Sequence, residues 1–323
     1  MRFFVDPWNP TYGTAAEDTA DGGPTPRSSA ELDADVEMPV DEWHPITAPS
    51  WVKSPEVVLF VDGVRRVDAS LWIGSEERPG IAASYAAGVV RCDAARGTAQ
   101  VVSRSIERSL ISAAADIEDL ETRLARYVAH HIDRDGQADL QNGLQRQMQA
   151  LEAKVSIEAR STFDDELLFV DGQLDGGRRH LPNALGYIKT QRTSYLPARL
   201  SEVVAGLAVG QRTPVFQIST VFRRLTWYLR LPSPTGAAWS GIVRIECSGD
   251  LPPSVAVELA DVSAATLPRF ASVSYKDPRA PQNLVPIAGL ERQLRHMLGD
   301  GRLLHRALMG AASAAADLTG GAV

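Results

Sequence analysis

The sequence predicts an α/β fold, a single mixed sheet flanked by helices, and three observations carry that expectation. β-Branched runs separated by Gly/Pro turns dominate residues 54–103, and helical spacing of apolar residues follows over 104–160. Strand and helix patterns then alternate to the end of the chain. The third observation is a repeated phrase: "VVLFVDGVRR" and "ELLFVDGQLDGG" both run into Phe-Val-Asp-Gly, with Asp62 and Asp171 separated by 109 positions. Two such strands feeding one sheet would bring two carboxylates together.

Taken in order, "MRFFVDPWNPTY" is too apolar for a solvated tail, so residues 1–14 are expected to dock on this chain or on a partner. Residues 15–50 are rich in Asp, Glu, Gly, Pro and Ser and read as a disordered acidic linker. The globular domain is expected over 51–318. "EVVLFVDG", "RVDASLWIG" and "GIAASYAAGVVRCD" read as strands of an antiparallel meander, with "SEERPG" as one connection and "AQVVSR" as a further strand. The spacing predicts a helix over 104–132, ending at His130 and His131, where the helix dipole favours histidine over any metal role. A second helix is expected over about 139–160, burying Leu140, Leu144, Met148, Leu151 and Val155. "DDELLFVDGQL", "ALGYIKT", "PVFQIST", "LTWYLRLP", "WSGIVRIECSG" and "ASVSY" read as strands. Residues 194–210, 251–268 and 284–312 read as helical.

Composition bounds the function classes. With 323 residues, 44% hydrophobic and 23% charged, the chain can bury a large core. Cys92 and Cys247 lie far apart without metal-ligand spacing, which argues against zinc and fits a reducing interior. No signal peptide or membrane-spanning run is legible, so a cytoplasmic location is expected. P-loop, G-x-G-x-x-G and G-x-S-x-G patterns are absent, which leaves nucleotide hydrolysis, dinucleotide chemistry and serine hydrolase chemistry without support. The net charge of −7 sits almost wholly in residues 1–42, where ten acids face Arg2 and Arg27. From Arg178 to Arg244, ten cations face Glu202 alone. Such an excess suits a polyanion unless the arginines scatter over several faces.

An acid at the end of a buried strand is costly unless it is paired, hydrogen-bonded or holding a metal. Taken singly, Asp-Gly after a strand is ordinary turn chemistry. Duplicated, the phrase points to two carboxylates whose repulsion a hard divalent cation would resolve. The helix before the second strand offers Glu152 and Glu158, on opposite margins of its apolar stripe, and spacing does not choose between them. Arg244 and Glu246 alternate on a strand and face the same side, as either a site pair or, the favoured reading, an ordinary ion pair. Trp227 and Tyr228 read as core rather than as base-stacking residues.

These motifs, in this order, resemble the NurA nuclease family. The resemblance rests on "VVLFVDGVRR", the helix with "RQMQALEAKV", then "LLFVDGQL" and "LGYIKTQRTSYLP", and runs at low density over about 55–310. It implies a ribonuclease-H-like sheet, a homodimer around a DNA channel, and a Mn²⁺- (or Mg²⁺-) dependent deoxyribonuclease. Such an enzyme acts as exonuclease and single-strand endonuclease, and processes DNA ends with a HerA-type hexameric translocase. By position, Asp62 and Asp171 match the catalytic aspartates. Glu152 or Glu158 matches the glutamate, the Met-x-x-Leu-Glu setting favouring Glu152, and Asp62, Asp171 and Glu152 would hold the metal. Lys189 matches the lysine that follows, and Arg178, Arg179, Arg192, Arg223 and Arg224 are the expected DNA contacts. The family's C-terminal histidine is missing: "APQNLVPIAGLERQLRH" has Gly289 or Leu290 there, with Gln282, Asn283 and Glu291 as substitutes and His296 further along a helix face. That departure keeps a second reading open, a non-catalytic DNA-binding adaptor of the same motor.

Overall fold

The computed structural model describes residues 1–6, 30–174, 176–189, 195–233 and 237–320, with side chains at Gly176 and 316–320 excepted. In chain order the strands are β1 (Phe3–Val5), β2 (Glu31–Asp33), β3 (Ile46–Thr47), β4 (Val57–Ile73), β5 (Arg78–Asp93), β6 (Thr98–Ser112), β7 (Leu120–Glu121) and β8 (Arg126–His131). Helix α1 (Gln137–Arg160) separates these from β9 (Leu167–Asp171) and β10 (Ala184–Ile188). Then come α2 (Ala198–Ala205), β11 (Gln211–Arg212), β12 (Phe216–Ser219), β13 (Arg223–Arg230), β14 (Ile242–Ser248), α3 (Pro253–Thr266), α4 (Val285–Met297) and α5 (Gly301–Gly320).

One sheet runs β2-β12-β13-β14-β10-β9-β4-β5-β6-β8-β7. Its centre is built from the meander β4–β5–β6, with β9 parallel to β4, β10 parallel to β9 and β14 antiparallel to β10. Strand alternation sends Leu59, Val61, Leu168 and Val170 to one face, against Leu144, Leu151 and Val155 of α1. Phe60, Phe169, Leu185 and Ile245 point to the other, under Leu290 and Leu294 of α4 and the alanines of α3. All five expected stripe residues of α1 are buried, each contributing about 1.5–3 kcal/mol of burial. No described helix is long and apolar enough to cross a membrane.

Four expectations need correction. The two strands read over 57–74 are one 17-residue strand, because β5 pairs with β4 along its whole length. Asp62 therefore lies in mid-strand. Residues 104–132 are β6, β7 and β8 rather than helix. Ile106 and Leu110 are four apart, a spacing that period-2 and period-3.6 patterns both satisfy, and serines at 103, 105, 109 and 112 favour helix poorly. The free edge of β5 then decides for strand. "ASVSY" forms no strand. The described part of the expected linker, residues 30–50, is ordered: Leu32 pairs with Ile218, Ile46 pairs with Arg212, and Trp43 is buried against Phe216. Glu37 holds it there through Arg212, at 2.8 Å. As for the first residues, Phe3 and Val5 are buried as β1 docks on Ile73 and Leu71 of β4.

Candidate metal centre

β9 pairs with β4 through Val58–Leu167, Leu59–Leu168, Phe60–Phe169 and Val61–Val170, and there the shared ladder stops. Asp62 and Asp171 are the next residue on each strand. In a parallel pair, residues at one level point the same way, here to the face of Phe60 and Phe169. Helix α4 crosses that face and adds Glu291, so that one oxygen from each of Asp62, Asp171 and Glu291 lies within 4.8 Å of the others. Arg66 fixes the far end of the helix, donating to the carbonyls of Gly299 (2.7 Å) and Leu298 (3.1 Å).

The two Asp-Gly steps differ in purpose. Gly172 has φ +107° and turns the chain out of β9. Gly63 stays in the strand and leaves room on the opposite face for α1: a Cβ there would meet Oε1 of Glu152 at 2.6 Å. Glu152 is buried, and its carboxylate takes an ion pair from the buried guanidinium of Arg178. Glu158 points elsewhere, accepting a bond from Ser103 at the exposed edge of β6 (3.0 Å). The structure thus separates the two glutamates that spacing could not. Glu291, rather than Glu152, stands at ligand distance from the aspartate pair.

Around the triad lies a network of fixed charges. Lys189 Nζ donates to Asp171 Oδ2 (2.5 Å) and Asn283 Oδ1 (2.9 Å), and Asn283 Nδ2 donates to Asp277 (2.6 Å). Arg279 spans Asp277 and both oxygens of Glu291, at 2.7 and 2.9 Å, with its side chain 51% exposed. Of the three residues the motif resemblance offered in place of a histidine, Glu291 brings a carboxylate to the aspartate pair, Asn283 accepts from Lys189, and Gln282 offers its carbonyl to Tyr187 (2.6 Å). His296 is exposed on α4.

Electrostatics point the same way. Burial, then the charges of Asp171, Glu152 and Glu291, push the Asp62 carboxyl well above the usual carboxylate range, against the pull of Lys189. Burial also raises Asp171, though Lys189 opposes it. Burial works on Glu291 too, but Arg279 outweighs it and holds that group low. Asp62 is 6% exposed; Oδ1 accepts the Gly63 amide (2.8 Å), while Oδ2 is buried with no donor among the described residues. Facing another carboxylate, that oxygen is satisfied by a shared proton or by a cation. An all-oxygen set with a buried, unsatisfied carboxylate fits a hard divalent ion such as Mg²⁺ or Mn²⁺.

The strand order now decides the fold family. Three antiparallel strands, a helix, then two strands parallel to the first give the spatial order β6-β5-β4-β9-β10. The fold is ribonuclease-H-like. The chain is similar to the NurA nuclease from Sulfolobus solfataricus (13% identity, TM-score 0.46, covering 79% of this chain and 84% of that one). It is also similar to the catalytic domain of human endonuclease V (15%, 0.36, covering 79% and 92%) and to endonuclease V from Bacillus subtilis (12%, 0.34, covering 75% and 81%). No protein-family profile matches the sequence, and no curated protein does.

The expected DNA contacts divide. Arg178 is buried on Glu152, and Arg224 is largely covered, with Nε 3.4 Å from Glu246, so neither presents a free charge. The reason is that their partners come from distant segments: Glu152 from α1, Glu246 from β14. Arg212 and Arg199 are likewise met by Asp261, Glu37 and Asp41, two of these from the acidic arm. Arg244 pairs with Glu246 at 2.9 Å, as read from sequence. Arg179 lies over the ring of Phe222 and Arg223 is 62% exposed, while Arg192 falls outside the described residues. Trp227 and Tyr228 are core. Sequence reasoning missed Glu246 Oε1, which receives the Leu174 amide (2.7 Å) and pins the loop after Asp171. It also missed Arg279, isolated in a loop where nothing local marks it. Both cysteines are buried and unpaired, their thiols pushed up to about 11 (Cys92) and about 12 (Cys247).

Proposed function

We propose that this protein is a divalent-metal-dependent nuclease that hydrolyses DNA phosphodiesters. The observation that carries the reading is Asp62: its buried Oδ2 has no donor among the described residues, and one of its oxygens lies within 4.8 Å of one from each of Asp171 and Glu291. Asp62, Asp171 and Glu291 would hold the ion, Mn²⁺ or Mg²⁺. An ion there supplies Lewis-acid stabilisation of charge on phosphoryl oxygens and acidifies the attacking water. The chain's own groups do the rest. Asp62 and Asp171, whose carboxyls burial pushes up, would hold a proton between them wherever no cation balances the pair. Lys189, oriented by Asn283 and Asp171, offers a fixed positive charge at the carboxylate rim. Arg279 lies half-exposed at the same rim, and its fork suits a phosphate once Glu291 turns to the ion. Arg223, exposed, and Arg179, half-buried over Phe222, are the cations assigned to the strand beyond the centre.

The finer parts of the proposal rest on the motif resemblance: cutting by exonuclease and single-strand endonuclease action, pairing as a homodimer, and work at DNA ends beside a HerA-type motor. The test is a Mn²⁺ titration on end-labelled single- and double-stranded DNA, with Asp62→Ala as control. Cleavage that needs Mn²⁺ and vanishes in the variant supports the nuclease. DNA binding without cleavage at any Mn²⁺ concentration overturns it in favour of the adaptor reading. Co-elution with a HerA-type hexamer tests the partner separately.

A further inference from the structure

The cations that surround the four buried or half-buried carboxylates are of two kinds. Arg279 is exchangeable: it is half exposed, and solvent can take its guanidinium when Glu291 finds another partner. Arg178 is not. Its side chain is 3% exposed, its partner Glu152 is 4% exposed, and its second amine donates to the carbonyl of Gln173 (3.1 Å) in the loop that follows Asp171. Leaving that position would strand a charge on each side of the pair. Two-ion centres share one carboxylate between ions about 3.5–4 Å apart and need further ligands on both outer sides. Here Asp62, Asp171 and Glu291 bring one oxygen each within 4.8 Å of the others, and the cation that meets them from solvent, Arg279, is the exchangeable one. The next carboxylate is taken: Arg178 holds Glu152 behind Gly63, on the opposite face of the sheet, while Lys189 holds Asp171 Oδ2.

Charge agrees with geometry. Asp62, Asp171, Glu291, Glu152 and Asp277 face Lys189, Arg178 and Arg279, so that five carboxylates meet three side-chain cations. With Arg279 kept by Asp277 when Glu291 turns away, the deficit is two, which a single divalent ion matches. Resting on the metal-centre reading above, we propose that this site takes one divalent ion, at Asp62, Asp171 and Glu291, and that Arg178 is a resident cation that withholds Glu152 from ligand duty.

The test counts ions per chain on the full-length protein, by equilibrium dialysis with Mn²⁺ and by the electron paramagnetic resonance of the bound metal. The wild type should hold one Mn²⁺ per chain with the spectrum of an isolated ion. Glu152→Gln should keep that stoichiometry and weaken binding less than Glu291→Gln, which should cost tenfold or more, because Glu152 acts on the ion only through its charge. Arg178→Met, a neutral side chain of similar reach, should admit a second ion and give spin-coupled signals. Two coupled ions in the wild type would overturn this inference and leave the nuclease reading intact. No ion at all would remove the metal centre itself. Should Arg178→Met fail to fold, Glu152→Gln decides: a loss of affinity as large as that of Glu291→Gln makes Glu152 a ligand and ends the proposal. A folded Arg178→Met that still holds one ion also ends it.

Discussion

Asp62 stands one residue beyond the last rung that joins its strand to that of Asp171, so the two carboxylates face each other where the shared ladder stops. Strand β4 itself runs on for eleven residues along β5. The chain therefore presents one acid from the middle of a long strand and the other from the end of a short one. Both are backed by the full depth of the core, and that placement is what raises their proton affinity.

A pH consequence follows for the protein kept free of divalent ions. Asp62 has a folded-state pKa well above its unfolded value, so the folded state binds more protons in that window. Stability from this group is present below the unfolded pKa and is lost as pH rises through the folded one. Asp62→Asn, which cannot ionise, should flatten the fall in unfolding midpoint as pH rises from acid towards neutrality. Urea melts in EDTA at several pH values check this; an unchanged slope in the variant would contradict it.

Added Mn²⁺ should reverse the same cost. An ion bound to the folded state alone stabilises by about 2.7 kcal/mol at a hundred times its dissociation constant. Glu291→Gln should lose most of that increment. Glu158→Gln, at the exposed edge of β6 on Ser103, should retain it and change baseline stability by no more than about 0.5 kcal/mol. Thermal melts with and without the ion separate the two glutamates.

Gly63→Ala tests the close approach of α1. The new methyl would lie 2.6 Å from Glu152 Oε1 and 3.1 Å from Met148 Cγ, both on the buried side of α1. Relief requires moving a buried ion pair, so a loss of about 1–3 kcal/mol is expected by chemical denaturation. A neutral result would mean that Glu152 is far freer than its burial implies.

Glu37→Gln addresses the acidic arm. Glu37 meets both terminal nitrogens of Arg212, at 2.8 and 3.0 Å, and the Val215 amide at 2.7 Å, while Asp261 takes the Nε (2.7 Å). Neutralising one partner of a buried arginine costs about 3–5 kcal/mol. The variant should melt lower and its arm should become protease-sensitive. Equal stability would show that Asp261 alone balances Arg212.

Much of this was legible locally. The stripe Leu140–Leu144–Met148–Leu151–Val155 placed α1, the apolar run-up to each Asp-Gly placed the core of β4 and of β9, and their duplication singled out Asp62 and Asp171. Where a spacing serves both periods, as in Ile106 and Leu110, it could not separate strand from helix. Charge density was a poor guide as well: the arginine-rich stretch looks like a polyanion surface until Glu37, Asp41, Glu152, Glu246 and Asp261 arrive from other segments to meet it.

The amino-acid order by itself determined helix α1, the buried cores of β4 and β9, and which two acids close their shared phrase, because side-chain periodicity is written within a few residues. Tertiary structure alone decided that Glu291 joins them from α4, that Glu152 is spent on Arg178, and that Arg279 waits at the rim. Those pairings depend on which distant segments the sheet order brings within a few ångströms, and on how little water remains between them. No local pattern encodes either quantity.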